Sequence, residues 1–261
     1  MPRRSHRSPM LSTLSLWGLL AALAACTGTQ SADTMAAHGG AGALAPASHD
    51  PANPPIDCPL RKQGLDPTHM RPFEEVADYI AFLEREDRAL WQKPDEIVAA
   101  LNLSGDETVL DLGAGSGYFT FRFARALPRG LVLATDTEPE MVRHIHHQVL
   151  ADGMENVRVE LVEPGDPDVP AATDVVFICD VLHHVPEPGA WLGKIADQLS
   201  PEARLVLIEF KEGALPEGPP EAMKISRQAL VDLASGAGLR LDVEHDDLLP
   251  YQTFLVFRRA P

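Results

Sequence analysis

From residue 105 onward, short apolar runs alternate with amphipathic segments. Residues 108–112, 131–135 and 172–180 are rich in Val, Leu, Ile and Ala, which is typical of parallel strands buried on both faces. In the segments 118–127 and 141–150 between them, apolar residues recur at helical spacing. This alternation of strand and helix predicts an α/β fold built around a largely parallel sheet.

The same pattern continues to the C-terminus. Further strands are predicted at 156–162, 203–210, 239–245 and 253–257, and further helices at 188–199 and 226–237. Ser226 is the expected N-cap of the last helix, and Gly238 is expected to end it. Before the first strand, Asp95 is the expected N-cap of a helix over 96–101. A proline-rich loop replaces the helix expected after the third strand.

A glycine-rich turn joins the first predicted strand to the next helix, in the order Asp-Leu-Gly-Ala-Gly-Ser-Gly-Tyr over residues 111–118. Glycines without Cβ atoms let the backbone approach a ligand closely, and amides at the start of a helix face that ligand. A dinucleotide motif, G-x-G-x-x-G/A, requires a small residue where Tyr118 stands. The chain also lacks a G-x-x-x-x-G-K-[ST] phosphate loop. A tight turn in another doubly wound protein is the alternative interpretation.

The spacing D-x-G-x-G-x-G from Asp111 to Gly117 resembles the first motif of the class I S-adenosylmethionine-dependent methyltransferases. The resemblance extends from about Arg71 to the C-terminus. It implies a Rossmann-like α/β fold, with a seven-stranded, mostly parallel sheet, an antiparallel last strand and helices on both faces. It also implies S-adenosylmethionine as cofactor and methyl transfer to an unidentified acceptor, which we expect to be a small molecule.

An acid at the end of the second strand, Asp136, stands where a carboxylate can bind a ribose diol. The alternative, that Asp136 is a helix N-cap, is disfavoured because 137–140 already start the helix. In the family, an acid after the third strand meets the adenine amino group, and Asp166 is the candidate here, with Glu163 as competitor. The cofactor-binding residues implied by the resemblance are Asp111, Gly113, Gly115, Gly117, Tyr118, Asp136, Thr137, Asp166 and Asp180.

The fourth strand ends in Asp180-Val-Leu-His183-His184, where the family places the acceptor. Imidazole titrates near neutrality, so His183 or His184 is a candidate general base. The alternative is that one histidine caps the next helix and packs the site. Glu209, Lys211 and Met223 can reach an acceptor from the following strand and loop, although a solvated loop is the more conservative interpretation.

No metal site is predicted. His144, His146 and His147 lie on one predicted helix and are interpreted as its solvated face. Cys58 and Cys179 do not indicate a disulfide framework.

The first residues predict export. Residues 1–25 combine a basic start with an apolar run, and Leu-Ala-Ala-Cys at 23–26 resembles a bacterial lipobox in which Cys26 is lipidated. A simple secretory signal with a chance cysteine is the alternative. Residues 26–67 predict a disordered tether, 68–104 a helical lid and 105–261 the cofactor-binding domain. The candidate lid residues are His69, Arg71, Phe73, Trp91 and Gln92, with ordinary helix packing as the alternative for Phe73 and Trp91.

The net charge of the chain limits the classes of molecule that it is expected to bind. The chain has 38 acidic and 22 basic residues and a formal net charge of −16. This balance argues against nucleic acid and anionic lipid headgroups, since both require clustered Lys and Arg. Membrane contact is therefore expected through lipidated Cys26 only, on the periplasmic side of the bacterial envelope, or a cytoplasmic location if the signal is not used. A non-catalytic, lipid-anchored envelope protein that reuses the fold as a binding module is the alternative function.

Overall fold

The computed structural model describes residues 73–261, with the side chains described from residue 76 onward. The predicted signal 1–25, the lipobox cysteine Cys26 and the tether 26–67 lie outside the described residues. So do the candidates His69 and Arg71 and the side chain of Phe73.

Three helices precede the sheet: α1 (Phe73–Leu83), α2 (Arg88–Gln92) and α3 (Pro94–Ala100). The prediction that Asp95 caps the third of them is wrong. Lys93 is the N-cap, with a left-handed φ of 47° and no side-chain cap. Pro94 starts the helix because its ring sets a helical φ and it has no N–H to satisfy.

The predicted α/β elements are present with small changes in their bounds. The strands are β1 (Thr108–Leu112), β2 (Leu131–Asp136), β3 (Val157–Leu161), β4 (Val175–Cys179), β5 (Arg204–Phe210), β6 (Leu239–Glu244) and β7 (Gln252–Arg259). The helices among them are α4 (Thr120–Ala126), α5 (Pro139–Asp152), α6 (Pro188–Gln198) and α7 (Arg227–Gly236). Ser226 caps α7 as predicted, because its Oγ accepts the Ala229 N–H at 3.0 Å. No helix forms between β3 and β4, which confirms that prediction.

The strands form one seven-stranded sheet in the order β3-β2-β1-β4-β5-β7-β6. β7 runs antiparallel to both of its neighbours, while the pairs among β1 to β5 are parallel. The chain winds outward from β1 to β3 and then crosses back to β4 on the other side of β1. In open α/β sheets such a reversal leaves a crevice at the carboxyl ends of the central strands, where ligands bind. The predicted sheet is confirmed.

Alternate side chains of the central strands enter two hydrophobic cores. Val109, Phe177 and Val206 pack on one face, and their neighbours Leu110, Val176 and Leu207 pack on the other. A third, smaller cluster joins α1 to α5 through Val76, Ile80 and Met141, with Leu83 packed against it. The two large cores fix the sheet, and the small cluster holds α1 at the carboxyl edge.

Two expectations are corrected on α5. His146 is 9% exposed, so the interpretation of a solvated histidine face is wrong at this position. The His144 side chain also has a polar partner, since its Nε2 lies 3.0 Å from the carboxylate of Glu84 in the segment after α1. Within residues 73–261, no helix is long and apolar enough to span a membrane. The same residues contain no group of three metal-ligating side chains.

Candidate functional site

The glycine turn after β1 is held by backbone hydrogen bonds and by close packing. The N–H groups of Gly113 and Ala114 both donate to the carbonyl of Thr135, at 2.8 and 2.9 Å. Gly113 has a φ of +80°, and a Cβ there would lie 2.5 Å from Val181 Cγ2. At Gly115, in contrast, a Cβ would meet Leu83 Cδ1 of α1 at an ordinary 3.7 Å. Gly113 is therefore required by packing, while Gly115 faces the space between the turn and α1.

Asp136, at the end of β2, is bonded directly to this turn. Its Oδ2 accepts the Gly115 N–H at 2.7 Å, and its Oδ1 accepts the Glu138 N–H at 2.9 Å. The side chain is buried, and burial raises the pKa of its carboxyl, opposed by these backbone hydrogen bonds. The N-cap of α5 is Glu138, so Asp136 is not the helix cap.

Asp111, at the end of β1, is a second buried acid beside the turn. The hydroxyl of Thr120 donates to its Oδ2 at 2.5 Å. Burial raises the pKa of Asp111 to about 7; the charge of Asp136 adds to the rise, and the Thr120 hydrogen bond opposes it. Two carboxyls are thus kept close together at one edge of the sheet, where they favour a positively charged ligand.

Several buried polar atoms beside the turn lack a partner among the described residues. They are the Ser116 Oγ, the Tyr118 hydroxyl and the Thr135 Oγ1. Buried polar groups are nearly always hydrogen-bonded in folded proteins. The turn therefore offers donors and acceptors to a bound polar molecule, and these residues fit a nucleoside-containing cofactor.

Helix α1 and the segment after it cover this region. Leu83 lies against Gly115. Burial raises the pKa of the Tyr79 hydroxyl, and the negative charge of Asp136 adds to the rise. The Arg88 guanidinium lies 4.1 Å from the Tyr118 ring centroid and donates to the Leu83 carbonyl at 2.5 Å. The helices before β1 thus place a cation and an aromatic hydroxyl over the carboxyl edge, and a lid role for them stays a prediction.

A polar cluster at the end of β4 ties these helices to the far side of the sheet. Asp180 has a left-handed φ of 59° and accepts hydrogen bonds from Gln92 of α2 at 3.0 Å and from Gln252 of β7 at 2.7 Å. Burial, and then the nearby Glu209 charge, raise the pKa of Asp180 to about 6. Trp91, beside Gln92, packs its ring 5.5 Å from Phe210.

His183 and Glu209 form a buried pair at the ends of β4 and β5. The His183 Nδ1 lies 2.6 Å from Glu209 Oε2, while Glu209 Oε1 accepts the Leu182 N–H at 2.6 Å. Glu209 is 1% exposed, so the interpretation of a solvated side chain is wrong for this residue. The Glu209 hydrogen bond raises the pKa of His183, although burial opposes the rise.

The remaining candidates lie at the periphery. His184 is exposed, with its ring centroid 4.1 Å from that of His183, and its pKa is lowered by burial and by His183. Lys211 donates to the Leu249 carbonyl at 2.8 Å. The Asp166 carboxylate is 79% exposed and pairs with Lys194 of α6 at 3.2 Å. Thr137 and Glu163 are exposed. A cofactor role for Asp166 and Thr137 stays a prediction.

Sequence reasoning missed Arg88 and Gln252 and did not pair Glu209 with a partner. Glu209 interrupts the otherwise apolar strand β5 near its carboxyl end, and this interruption was an available signal. Gln252 is the first residue of β7 and pairs with Phe210 at the same edge, and a polar residue at the start of a strand gives no such signal. Arg88 carries no comparable signal, because a surface helix commonly contains arginine.

Comparison with known proteins identifies the class of fold. Residues 110–205 match the family model described as a methyltransferase domain. The chain is 31% identical over 123 residues to trans-aconitate 2-methyltransferase of Mycobacterium tuberculosis, covering 47% of this chain and 43% of that protein. It is 34% identical over 108 residues to ubiquinone biosynthesis O-methyltransferase of Xanthomonas euvesicatoria, covering 41% and 44%. The chain thus spans less than half the length of these curated relatives.

Solved structures agree on the architecture. A SAM-dependent methyltransferase from Aquifex aeolicus superposes with a TM-score of 0.64 at 24% identity, covering 70% of this chain and 98% of that one. Magnesium protoporphyrin IX methyltransferase from Synechocystis with bound SAH superposes with a TM-score of 0.53 at 20% identity, covering 65% and 83%. The described residues therefore have the fold of the class I methyltransferases, and residues 110–205 match the model of a methyltransferase domain.

Proposed function

We propose that this protein is an S-adenosylmethionine-dependent methyltransferase acting on a small-molecule acceptor. The observation that carries the proposal is the buried Asp136 carboxylate. It lies 2.7 Å from the Gly115 amide, at the edge of the sheet where the order of the strands reverses direction. The curated relatives are both methyltransferases, which supports the same chemistry here.

Asp136 is suited to bind the ribose of the cofactor. A carboxylate has about four acceptor sites, and the amides of Gly115, Glu138 and Thr137 interact with this one. The acceptor capacity that remains can take a ribose hydroxyl. We propose Asp111, Gly113, Gly115, Gly117, Tyr118, Thr137, Asp166 and Asp180 as the other cofactor-site residues. Asp180 contributes to the site indirectly, by holding Gln92 and Gln252 in place, since its carboxylate oxygens accept hydrogen bonds from both glutamines.

The cofactor, when bound, supplies a methyl group on a positively charged sulfur. The chain supplies three acids at the same edge: Asp111 and Asp136 are buried, and Asp180 is half-buried. Desolvation raises the pKa of all three, and the charges of Asp136 and Glu209 add to the rise at Asp111 and Asp180 respectively. A cation placed among these acids stabilises their ionised forms and so offsets the free-energy cost of burying their charges. Positioning and electrostatics of this kind account for much of the rate in a displacement that needs little other chemistry.

Of the two histidine candidates, we propose His183 as the general base. Its side chain is 5% exposed and oriented by Glu209, whereas His184 is exposed and has a lowered pKa. A general base needs a fixed position, and the hydrogen bond to Glu209 gives His183 one that His184 lacks.

Labelled-product analysis tests the activity. The purified full chain is incubated with methyl-deuterated S-adenosylmethionine and a bacterial small-molecule extract, and products carrying the label are sought by mass spectrometry. We expect a labelled product with wild type and much less of it with Asp136→Ala at the same cofactor concentration. Binding of S-adenosylhomocysteine without any labelled product would instead favour the non-catalytic binding module.

For the location, we propose export and lipidation at Cys26, with the domain on the periplasmic side of the envelope. The basic start and the Leu-Ala-Ala-Cys motif at 23–26 support this. Mass spectrometry of the protein from bacterial membranes is expected to show a diacylglyceryl group on Cys26, and Cys26→Ser is expected to remove it. An unmodified chain that retains residues 1–25 in the cytoplasm would contradict the proposal.

A further inference from the structure

Two buried polar atoms where α2 meets β7 have no hydrogen-bond partner among residues 73–261. They are Trp91 Nε1 and Gln252 Oε1. The Trp91 side chain is only 9% exposed and that of Gln252 only 1% exposed. Buried polar groups are nearly always hydrogen-bonded, because leaving one without a partner is costly. Two such atoms in one region therefore indicate that a polar group of another molecule completes them.

The two atoms belong to one aromatic cluster at the end of the sheet. The Trp91 ring centroid lies 5.5 Å from that of Phe210 and 6.0 Å from that of Tyr251. Gln252 directly follows Tyr251 and stands opposite Phe210 in the antiparallel pairing of β5 with β7. This cluster lies beyond β4 from the glycine turn, so it is separate from the residues that fit the nucleoside of the cofactor.

Asp180 fixes the orientation of the Gln252 amide. The Gln252 Nε2 donates to both carboxylate oxygens, at 2.7 and 2.8 Å. Gln92, the residue after Trp91, donates to the same carboxylate at 3.0 Å and so ties α2 to this place. A carboxylate can only accept hydrogen bonds, so the amide nitrogen of Gln252 must face Asp180 and its oxygen must face away.

The chemistry of the two atoms limits what can bind between them. The indole N–H of Trp91 can only donate a hydrogen bond, and the amide oxygen of Gln252 can only accept one. A carboxylate has no proton for Gln252, and an ammonium group has no lone pair for Trp91. An uncharged carboxamide or hydroxyl satisfies both. The neighbouring rings of Phe210 and Tyr251 favour a flat, apolar body next to that group.

We infer that Trp91 and Gln252 form a recognition subsite for the methyl acceptor, which binds an uncharged group that both accepts and donates a hydrogen bond and that is carried on a planar apolar body. This inference rests on the proposed function. The subsite determines which acceptor binds and how it is oriented, and it leaves the atom that is methylated unspecified.

Access to the subsite is through movement of α2. This helix has only five residues and is followed by Lys93, whose φ is left-handed at 47°. Its outer side faces solvent, since Leu90 is 80% exposed. Trp91 and Phe210 lie outside both large hydrophobic cores. An outward displacement of α2 therefore uncovers the two polar atoms while the cores of the sheet stay closed.

Nuclear magnetic resonance of ¹⁵N-tryptophan in the full chain, with S-adenosylhomocysteine present, tests the subsite. The Trp91 indole signal is assigned by its absence from Trp91→Phe. Benzamide, which accepts and donates, is expected to shift this signal saturably. It should bind about fivefold more tightly than acetophenone, which has no proton for Gln252. No saturable shift with benzamide, or equal affinity for the two probes, overturns the inference, as expected if only water satisfies the two atoms.

A pair of glutamine variants tests the contribution of Gln252. Gln252→Met keeps the length of the side chain but removes its amide, and we expect the preference for benzamide over acetophenone to disappear. The matched control is Gln228→Met, an exposed position on α7, where the preference is expected to persist. A preference that survives in Gln252→Met overturns the role of Gln252. The comparison of the two probes on wild type decides the inference even where Gln252→Met does not fold.

Calorimetry of S-adenosylhomocysteine on the same wild-type samples separates this inference from the proposed function. No binding of S-adenosylhomocysteine would overturn the proposed function and, with it, the assignment of the bound group to a methyl acceptor. Retained binding of S-adenosylhomocysteine, with no preference for benzamide, would overturn only the subsite.

Discussion

The two halves of the carboxyl edge are built in different ways. At β1 and β2, the glycine turn and Asp136 are joined through backbone amides, at a sequence separation of 21 positions from Gly115 to Asp136. At β4 and β5, side chains contact one another across longer separations, of 88 positions from Gln92 to Asp180 and 72 from Asp180 to Gln252. The first half is a rigid cradle set by local sequence, and the second is a network assembled only when the whole domain has folded.

This difference predicts different responses to substitution. Changes in the first half act on backbone geometry and on cofactor affinity. Changes in the second half act on the contact between α2 and the sheet and on the ionisation of His183.

The largest effect is expected at Gly113. Gly113→Ala places a Cβ 2.5 Å from Val181 in a residue with positive φ, and we expect it to lower the free energy of unfolding by about 2–5 kcal/mol. Urea denaturation measures the loss. The matched control is Gly153→Ala, where φ is also positive but no atom lies within 4 Å, and the expected loss is about 1–2 kcal/mol. Equal losses at the two positions would show that packing against Val181 is unimportant.

A second test concerns the buried acids of the first half. Because the folded pKa of Asp111 is raised to about 7, the folded state retains a proton that the unfolded chain loses near pH 4. Stability should therefore fall as pH rises from about 4 to about 7, with a slope of up to about 1.4 kcal/mol per pH unit from this one group. Asp111→Asn is expected to flatten that slope in denaturation curves recorded across the range. A slope that is as steep in the variant would place the titrating group elsewhere.

In the second half, Gln92→Ala removes one donor from the Asp180 carboxyl. We expect the free energy of unfolding to fall by about 1–3 kcal/mol, because a buried acceptor loses a partner. Hydrogen exchange is expected to speed up in α2 and α3, which Gln92 ties to the sheet. Unchanged exchange there would mean that the aromatic contacts of Trp91 alone hold α2 and α3 against the sheet.

The smallest effect is expected outside both halves, at the N-cap of α7. Ser226→Ala should lower the free energy of unfolding by about 1 kcal/mol, because the Ala229 N–H loses its acceptor. The His183 titration should not change, and a shift there would indicate coupling between α7 and the second half.

The contrast between the two halves also explains which features of the fold and of the site could be predicted from the sequence. The strand–turn–helix of residues 108–126 and Asp136 were predictable because periodicity, glycine spacing and an acid at a strand end are all local signals. The sequence did not bring together Gln92, Gln252 and Glu209, because a polar residue in an apolar segment does not indicate which distant side chain it contacts. His146 was misassigned for a related reason, because the burial of a helix face depends on what packs against it.

The most direct test of the account is calorimetric titration of S-adenosylhomocysteine into wild type, Asp136→Ala and Glu209→Gln in parallel. We expect binding by wild type, a loss of about 1–3 kcal/mol in Asp136→Ala, because ribose hydroxyls lose their acceptor, and wild-type affinity in Glu209→Gln. No binding by wild type, or equal affinity in wild type and Asp136→Ala, would contradict the assignment of the cradle as the cofactor site.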